Sequence, residues 1–225
     1  MTDRLRALVF MLASTFSFAL MGAQVKALAG VPLTVKVLFR NLVSLGVAFL
    51  LIRRSGVRAF GQSRNQVRLL LRSLFGLGGV ALTFYALQYL SLADSSILMR
   101  LSPFWVTLFA ALFLRERLNP VQVPLLLLAL AGTLLVIRPQ FSYEMIPALA
   151  GLLAGVFAGA AYTLLRALKG REEPATIVFY FSFVSVLVML PFAIHARFCP
   201  DGMQLLLLLG TGLAAAAEQI TITHA

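Results

Sequence analysis

Long runs of apolar residues alternate with short basic segments along the whole chain of 225 residues. A transmembrane helix needs about 20 mostly apolar residues, whereas a barrel strand needs about ten residues of alternating polarity. Because backbone groups in lipid must be satisfied within the protein, runs of this length predict α-helices. We predict eight membrane-spanning helices, at residues 7–29, 33–52, 69–90, 95–114, 120–137, 145–168, 175–194 and 203–225.

The composition supports a lipid environment. Hydrophobic residues make up 60% of the chain and charged residues 12%, and the mean hydropathy is +0.94. A soluble domain has about 45–50% apolar and about 25% charged residues, so a soluble fold of this length would leave much apolar surface in water. Cys199 is the only cysteine, which excludes an internal disulfide and a four-cysteine metal site. No cofactor is expected.

The net charge of +11 lies in the gaps between apolar runs, which indicates contact with lipid headgroups rather than nucleic acid. Lys and Arg are concentrated at the N-terminus and in the segments 53–68, 115–117 and 169–171. The positive-inside rule therefore predicts a cytoplasmic N-terminus, in a cytoplasmic (inner) membrane of bacterial type. The first run could also be read as a signal peptide, but its length and the seven similar runs after it favour a retained span.

An internal repeat emerges when the chain is shifted by 141 residues. The matching positions of the first and sixth spans are Ala7, Leu12, Ala13, Phe16 and Ala19 with Ala148, Leu153, Ala154, Phe157 and Ala160. A unit of five spans is odd-numbered, so its second copy inserts upside down, an arrangement frequent in transporters. We predict a five-helix unit at 1–139 and an incomplete three-helix unit at 140–225. Because the eighth run reaches Ala225, we expect about two further spans in the complete protein.

Several motifs stand out, namely the segments Tyr85–Asp94, Leu101–Phe104 and Leu114–Leu118, with Gln122, Gly132 and the Phe39-Arg40 pair. They resemble the drug/metabolite transporter superfamily, EamA type, most strongly over residues 67–139. The resemblance implies a ten-helix inverted repeat of five plus five spans, with a central cavity lined mainly by helices 1–4 and 6–9. It also implies transport of amino acids, related metabolites or drugs, often outward.

Four cations fall in the predicted outer half of the membrane, namely Lys26, Lys36, Arg40 and Arg100. Charged residues inside a span are costly and mark a functional site or a buried pair by default. One interpretation is a basic site for a substrate carboxylate, with Arg40 as the main clamp because guanidinium binds carboxylate bidentately. The alternative, favoured for the two lysines, is snorkelling, in which the stem is buried and the charged end reaches the interface.

Glu218 is the only carboxylate deep inside a predicted span, where it falls in the predicted cytoplasmic half of the membrane. It serves either in proton transfer or as the fixed partner of a buried cation. Pro103 is expected to kink the fourth span, and Gly151, Gly155 and Gly159 are expected to allow close helix packing. Further candidates to line a cavity are Gln24, Asn41, Tyr85, Trp105 and Tyr162.

The favoured function is a secondary permease or exporter of small metabolites, such as amino acids, related carboxylate-bearing compounds or drugs. The sequence contains no Gly-rich phosphate loop, so direct use of ATP is not expected. It also lacks the His-Glu-x-x-His and Gly-x-Ser-x-Gly patterns, which argues against an intramembrane enzyme. A non-transporting membrane scaffold remains an alternative. The expected partners are a small-molecule substrate and the lipid bilayer, and a homodimer is left open.

Overall fold

The computed structural model describes residues 3–99, 101–114, 121, 124–128, 131–132 and 145–224. These residues form helices and no β-strand. The helices are α1 (Asp3–Ala27), α2 (Leu33–Ser55), α3 (Gln66–Tyr89, after a 3-10 turn at Ser63–Asn65), α4 (Leu92–Met99), α5 (Ser102–Leu114), α6 (Met145–Leu168), α7 (Pro174–His195) and α8 (Gly202–His224).

The predicted class, a multi-pass α-helical membrane protein, is confirmed. Among the described residues, five helices are long and apolar enough to cross a membrane: Leu33–Ser55, Ser63–Tyr89, Met145–Leu168, Pro174–His195 and Gly202–Thr221. The predicted total of eight spans and the inverted five-plus-five repeat stay predictions.

In the structure, the predicted fourth span (95–114) is not one kinked helix. It is divided between α4, which ends at Met99, and α5, which begins at Ser102. Pro103 is the second residue of α5, in the first turn, where a missing backbone N–H costs no intrahelical bond. The proline therefore lies at the start of a helix instead of kinking one. The fifth predicted span lies largely outside the described residues, of which 124–128 and 131–132 are helical.

The chain forms two compact units. The first contains Met1–Leu74 and Leu168–Ala225, and the second contains Phe75–Ala167. The first unit therefore combines helices from both predicted repeats, and the division of the sequence at residue 139 stays a prediction.

Helix α2 is the centre of the first unit. It packs against α7 and α8, and α1 packs against α8. A buried apolar cluster near the N-terminal end of α2 contains Leu28, Val31, Val35, Ala193 and Leu208. Nearer the middle, the Ser44 hydroxyl donates to the carbonyl of Gly212 at 3.5 Å, which marks a close approach of α2 and α8.

In the second unit, the glycines of α6 lie against α4 and α5. A Cβ atom at Gly159 would overlap the Cβ of Trp105, and one at Gly151 would lie 2.7 Å from the Leu98 side chain. At Gly159 a side chain would therefore displace the start of the Trp105 side chain and its backbone, whereas at Gly151 the end of the Leu98 side chain would have to shift. The prediction of close packing along this stripe is confirmed.

The segment between α2 and α3 is held against the segment between α6 and α7 by one carboxylate. Glu172 Oε1 accepts hydrogen bonds from the Gln62 N–H at 2.9 Å and from Asn65 Nδ2 at 2.7 Å. The hydroxyl of Thr176 donates to the Arg58 carbonyl at 2.8 Å, which adds a second link. These bonds join the segment before α3 to the segment before α7 and to the first turn of α7, within the first unit.

Replacing Glu172 with alanine is expected to destabilise the protein by about 1.5–3 kcal/mol, because two hydrogen bonds to a charged group are lost. The measurement is thermal unfolding in detergent. The matched control is Glu173→Ala, since the exposed neighbour Glu173 makes no capping hydrogen bond at the start of α7. Equal melting temperatures for the two variants would show that the contacts of Glu172 do not hold the loops.

Candidate functional site

Helix α2 carries an unusual series of buried polar side chains in an apolar helix. Lys36 and Asn41 are 0% exposed, Arg40 is 2% exposed and Ser44 is 0% exposed. Residues 36, 40 and 44 are spaced by four, so they share one face of the helix. Burial of this kind requires partners or a ligand, because an unpaired polar group in an apolar interior is costly.

The guanidinium of Arg40 contacts protein groups on two sides. Its Nη1 donates to Asn41 Oδ1 at 3.0 Å, and its Nη2 lies 3.9 Å from Glu218 Oε2. Asn41 is itself fixed, because its Nδ2 donates to the Val37 carbonyl at 2.8 Å. Asn41 is therefore a hydrogen-bond partner that orients Arg40, and its cavity-lining role stays a prediction.

Glu218 is thus the partner of a buried arginine, which confirms one of its two predicted roles. Its other predicted role, proton transfer, stays a prediction. The two residues are 178 positions apart in sequence, and the packing of α2 against α8 brings them together.

Two further residues of the first unit, Arg72 and Phe181, lie close to this ion pair. The Arg72 guanidinium lies 4.3 Å from the centroid of the Phe181 ring, and that of Arg40 lies 5.7 Å from it. The charge of Arg72 also acts on Glu218. Sequence reasoning missed both residues, although Arg72 lies inside the predicted span 69–90, where a charge is a signal for function or pairing. We call Arg40, Arg72, Phe181 and Glu218 the central cluster.

Lys36 lies one helical turn before Arg40, and its complete burial contradicts the predicted snorkelling. Its side chain has no exposed surface, so its ammonium does not reach an interface. Within the part of the chain that the structure describes, Lys36 Nζ has no hydrogen-bond partner. Snorkelling requires a lysine on a lipid-facing side of its helix, and residue 36 instead faces the packed interior.

The other predicted site residues are distributed over the chain. Lys26 is exposed, in agreement with snorkelling, and Arg100 lies outside the described residues. Gln24 of α1 is half-buried and lies beside Gly210 of α8, where an added Cβ would meet its amide. The second unit contains the half-buried residues Tyr85, Trp105 and Tyr162. The first unit thus brings together Lys36, Arg40, Asn41 and Glu218.

The chemistry available at the central cluster is electrostatic. It combines a buried ion pair, an aromatic ring close to two guanidinium groups and, one helical turn away, a buried ammonium. Among the described residues, no group of three or more His, Cys, Asp or Glu side chains is arranged to hold a metal ion. Buried charges inside spans commonly belong either to structural ion pairs or to pathways of ions and substrates.

Comparisons with known proteins agree with a transport role. The model of the EamA-like transporter family matches residues 5–138. The pseudopaline exporter CntI of Pseudomonas aeruginosa is 39% identical over 221 residues, which cover 94% of this chain and 75% of the exporter. Solute carrier family 35 member G1 of Mus musculus is 28% identical over 236 residues, covering 97% and 64%. A crystal structure with 21% identity has the same fold, with a TM-score of 0.66 over 97% of this chain and 79% of the other.

Proposed function

The chain belongs to the EamA-like transporter family, and on this premise we propose that it is a secondary permease that exports small metabolites. The proposed substrates are amino acids or related compounds and drugs that bear a carboxylate. The proposed location is a bacterial-type cytoplasmic membrane, with the N-terminus inside. The names of the relatives favour a transporter over an enzyme.

The observation that carries the proposal is the ion pair between Arg40 and Glu218, buried between α2 and α8. Desolvating two charges in a membrane protein costs several kcal/mol per ion, which the attraction of the pair rarely repays in full. Such groups within spans commonly mark substrate or ion pathways. If a substrate or a proton breaks this ion pair, the protein has two states, one with the pair formed and one with it broken. Alternating access requires two such states.

Export is tested by expressing the full chain in a bacterial host and comparing the culture medium with that of a host expressing Arg40→Met/Glu218→Leu. This double variant replaces the buried pair with apolar side chains of similar size, which is expected to cost far less stability than removing one partner, although Arg72 loses a negative neighbour. Mass spectrometry of the medium should show at least one small acidic metabolite enriched by the natural chain alone. Pseudopaline, named for the bacterial relative, is included as a candidate. A medium identical to that of a host without the protein, at a verified amount of inserted natural chain, would favour the scaffold alternative.

A further inference from the structure

The first turn of α2 has the features of an anion-binding helix N-terminus. The residue before the helix is Pro32, which makes no side-chain capping bond, and the first turn contains no acidic residue. The first backbone bonds run from the N–H groups of Val35 and Lys36 to the Pro32 carbonyl, so the N–H groups of Leu33 and Thr34 precede them. Such N–H groups and the helix dipole favour a negative charge at this end.

Lys36 supplies an independent observation at the same place. It is the fourth residue of a helix of 23 residues, it is fully buried, and Nζ has no hydrogen-bond partner among the described residues. Side chains of a helix lean toward its N-terminus and cover the preceding turn. From this tendency we expect the stem of Lys36 to run back toward the turn that carries Leu33 and Thr34.

The first turn of α2 lies in apolar surroundings. Val35 belongs to the buried apolar cluster with Leu28, Val31, Ala193 and Leu208. In such a medium an ammonium without a partner is strongly unfavourable, and an anionic ligand that pairs with it is bound more strongly than it would be in water.

Arg40 is less available to a ligand than Lys36. Both terminal nitrogens of Arg40 already face protein groups, Asn41 Oδ1 and Glu218 Oε2. A bidentate carboxylate clamp at Arg40 would have to displace both groups. The ammonium one turn earlier requires no such exchange.

We infer that the first turn of α2, together with Lys36, binds the carboxylate of the transported metabolite, with the central cluster one turn deeper. This inference rests on the proposed function and names the contact that selects its substrates. The carboxylate is held by the ammonium of Lys36 and by backbone N–H groups, and Arg40 has a positioning role through its pair with Glu218.

The test measures uptake by inside-out vesicles that contain the full chain, with the standard L-amino acids and their primary carboxamides as probes. Each acid and its amide have nearly the same shape and differ in the charge that Lys36 would recognise. The variants are Lys36→Met, which keeps the length of the side chain, and Lys26→Met as the matched control at an exposed lysine. Thermal unfolding is measured for all three proteins.

The natural chain and Lys26→Met are expected to prefer acids over amides. Lys36→Met should lose about tenfold to a hundredfold of the acid flux, the effect of one hydrogen bond to a charged group, and should melt at an equal or higher temperature. Full acid preference in Lys36→Met, or a lower melting temperature, would overturn the inference and leave the proposed function intact. A natural chain that moves neither acids nor amides would overturn the proposed amino-acid substrates as well.

Discussion

An Arg40→Ala variant is expected to lose transport and about 3–5 kcal/mol of folding stability together, because it leaves the carboxylate of Glu218 buried without its guanidinium. It also removes the hydrogen bond that Arg40 donates to Asn41. If Arg40 were only a substrate clamp, the variant would lose transport and keep its stability. The size of the stability loss therefore distinguishes a structural ion pair from a simple clamp.

Stability is measured by denaturant unfolding in detergent, and transport in vesicles with matched amounts of protein. Arg54→Ala is the control, because Arg54 is an exposed residue in the last turn of the same helix. The double variant Arg40→Met/Glu218→Leu should regain most of the lost stability and remain inactive. If Arg40→Ala is as stable as Arg54→Ala, the pair seen at 3.9 Å does not contribute to folding.

A Glu218→Gln variant is expected to lose the stimulation of transport by a proton gradient while it keeps exchange of substrate across the membrane. The glutamine retains the shape of the side chain and removes its exchangeable charge, so no proton is carried with the substrate. One proton moved down a gradient of one pH unit supplies about 1.4 kcal/mol, or about tenfold accumulation. That factor should vanish in the variant.

The groups that act on Glu218 from the neighbouring helices are Arg40 of α2 and Arg72 of α3. Both remain in the variant and lose a negative neighbour, so some loss of stability is also expected. The measurement is accumulation at several imposed pH differences, with Glu173→Gln as the control at an exposed carboxylate. An unchanged dependence on the pH difference in Glu218→Gln would exclude this residue from proton coupling.

The helical class could be predicted from the sequence because span length and continuity depend only on local composition. The same local reasoning identified Arg40 and Glu218, since each is a charge inside an apolar run. It placed them in opposite halves of the membrane, and their pairing was missed because it depends on how α2 and α8 pack. The 3.9 Å contact also depends on the reach of both long side chains.

The burial of Lys36 also depends on how the helices pack rather than on local composition. A lysine near a helix end is equally compatible with a snorkelling residue and with a buried one, and the rotation of the helix about its axis decides between them. The cluster of Leu28, Val35 and Leu208 shows that the first turn of α2 faces the packed interior. Arg72 could have been recognised from the sequence, because it is a charge inside a predicted span. Phe181 is one of 18 phenylalanines, and nothing in the local sequence marks it as a contact of a guanidinium group.

The most direct test is solute flux in liposomes that contain the purified full chain. Amino acids trapped inside are expected to leave in a saturable manner with the natural chain and to stay inside with Arg40→Met/Glu218→Leu, although both proteins are folded. The transport function would be contradicted by release no faster than from protein-free liposomes. Equal release by the two proteins would contradict the role of the buried pair between α2 and α8.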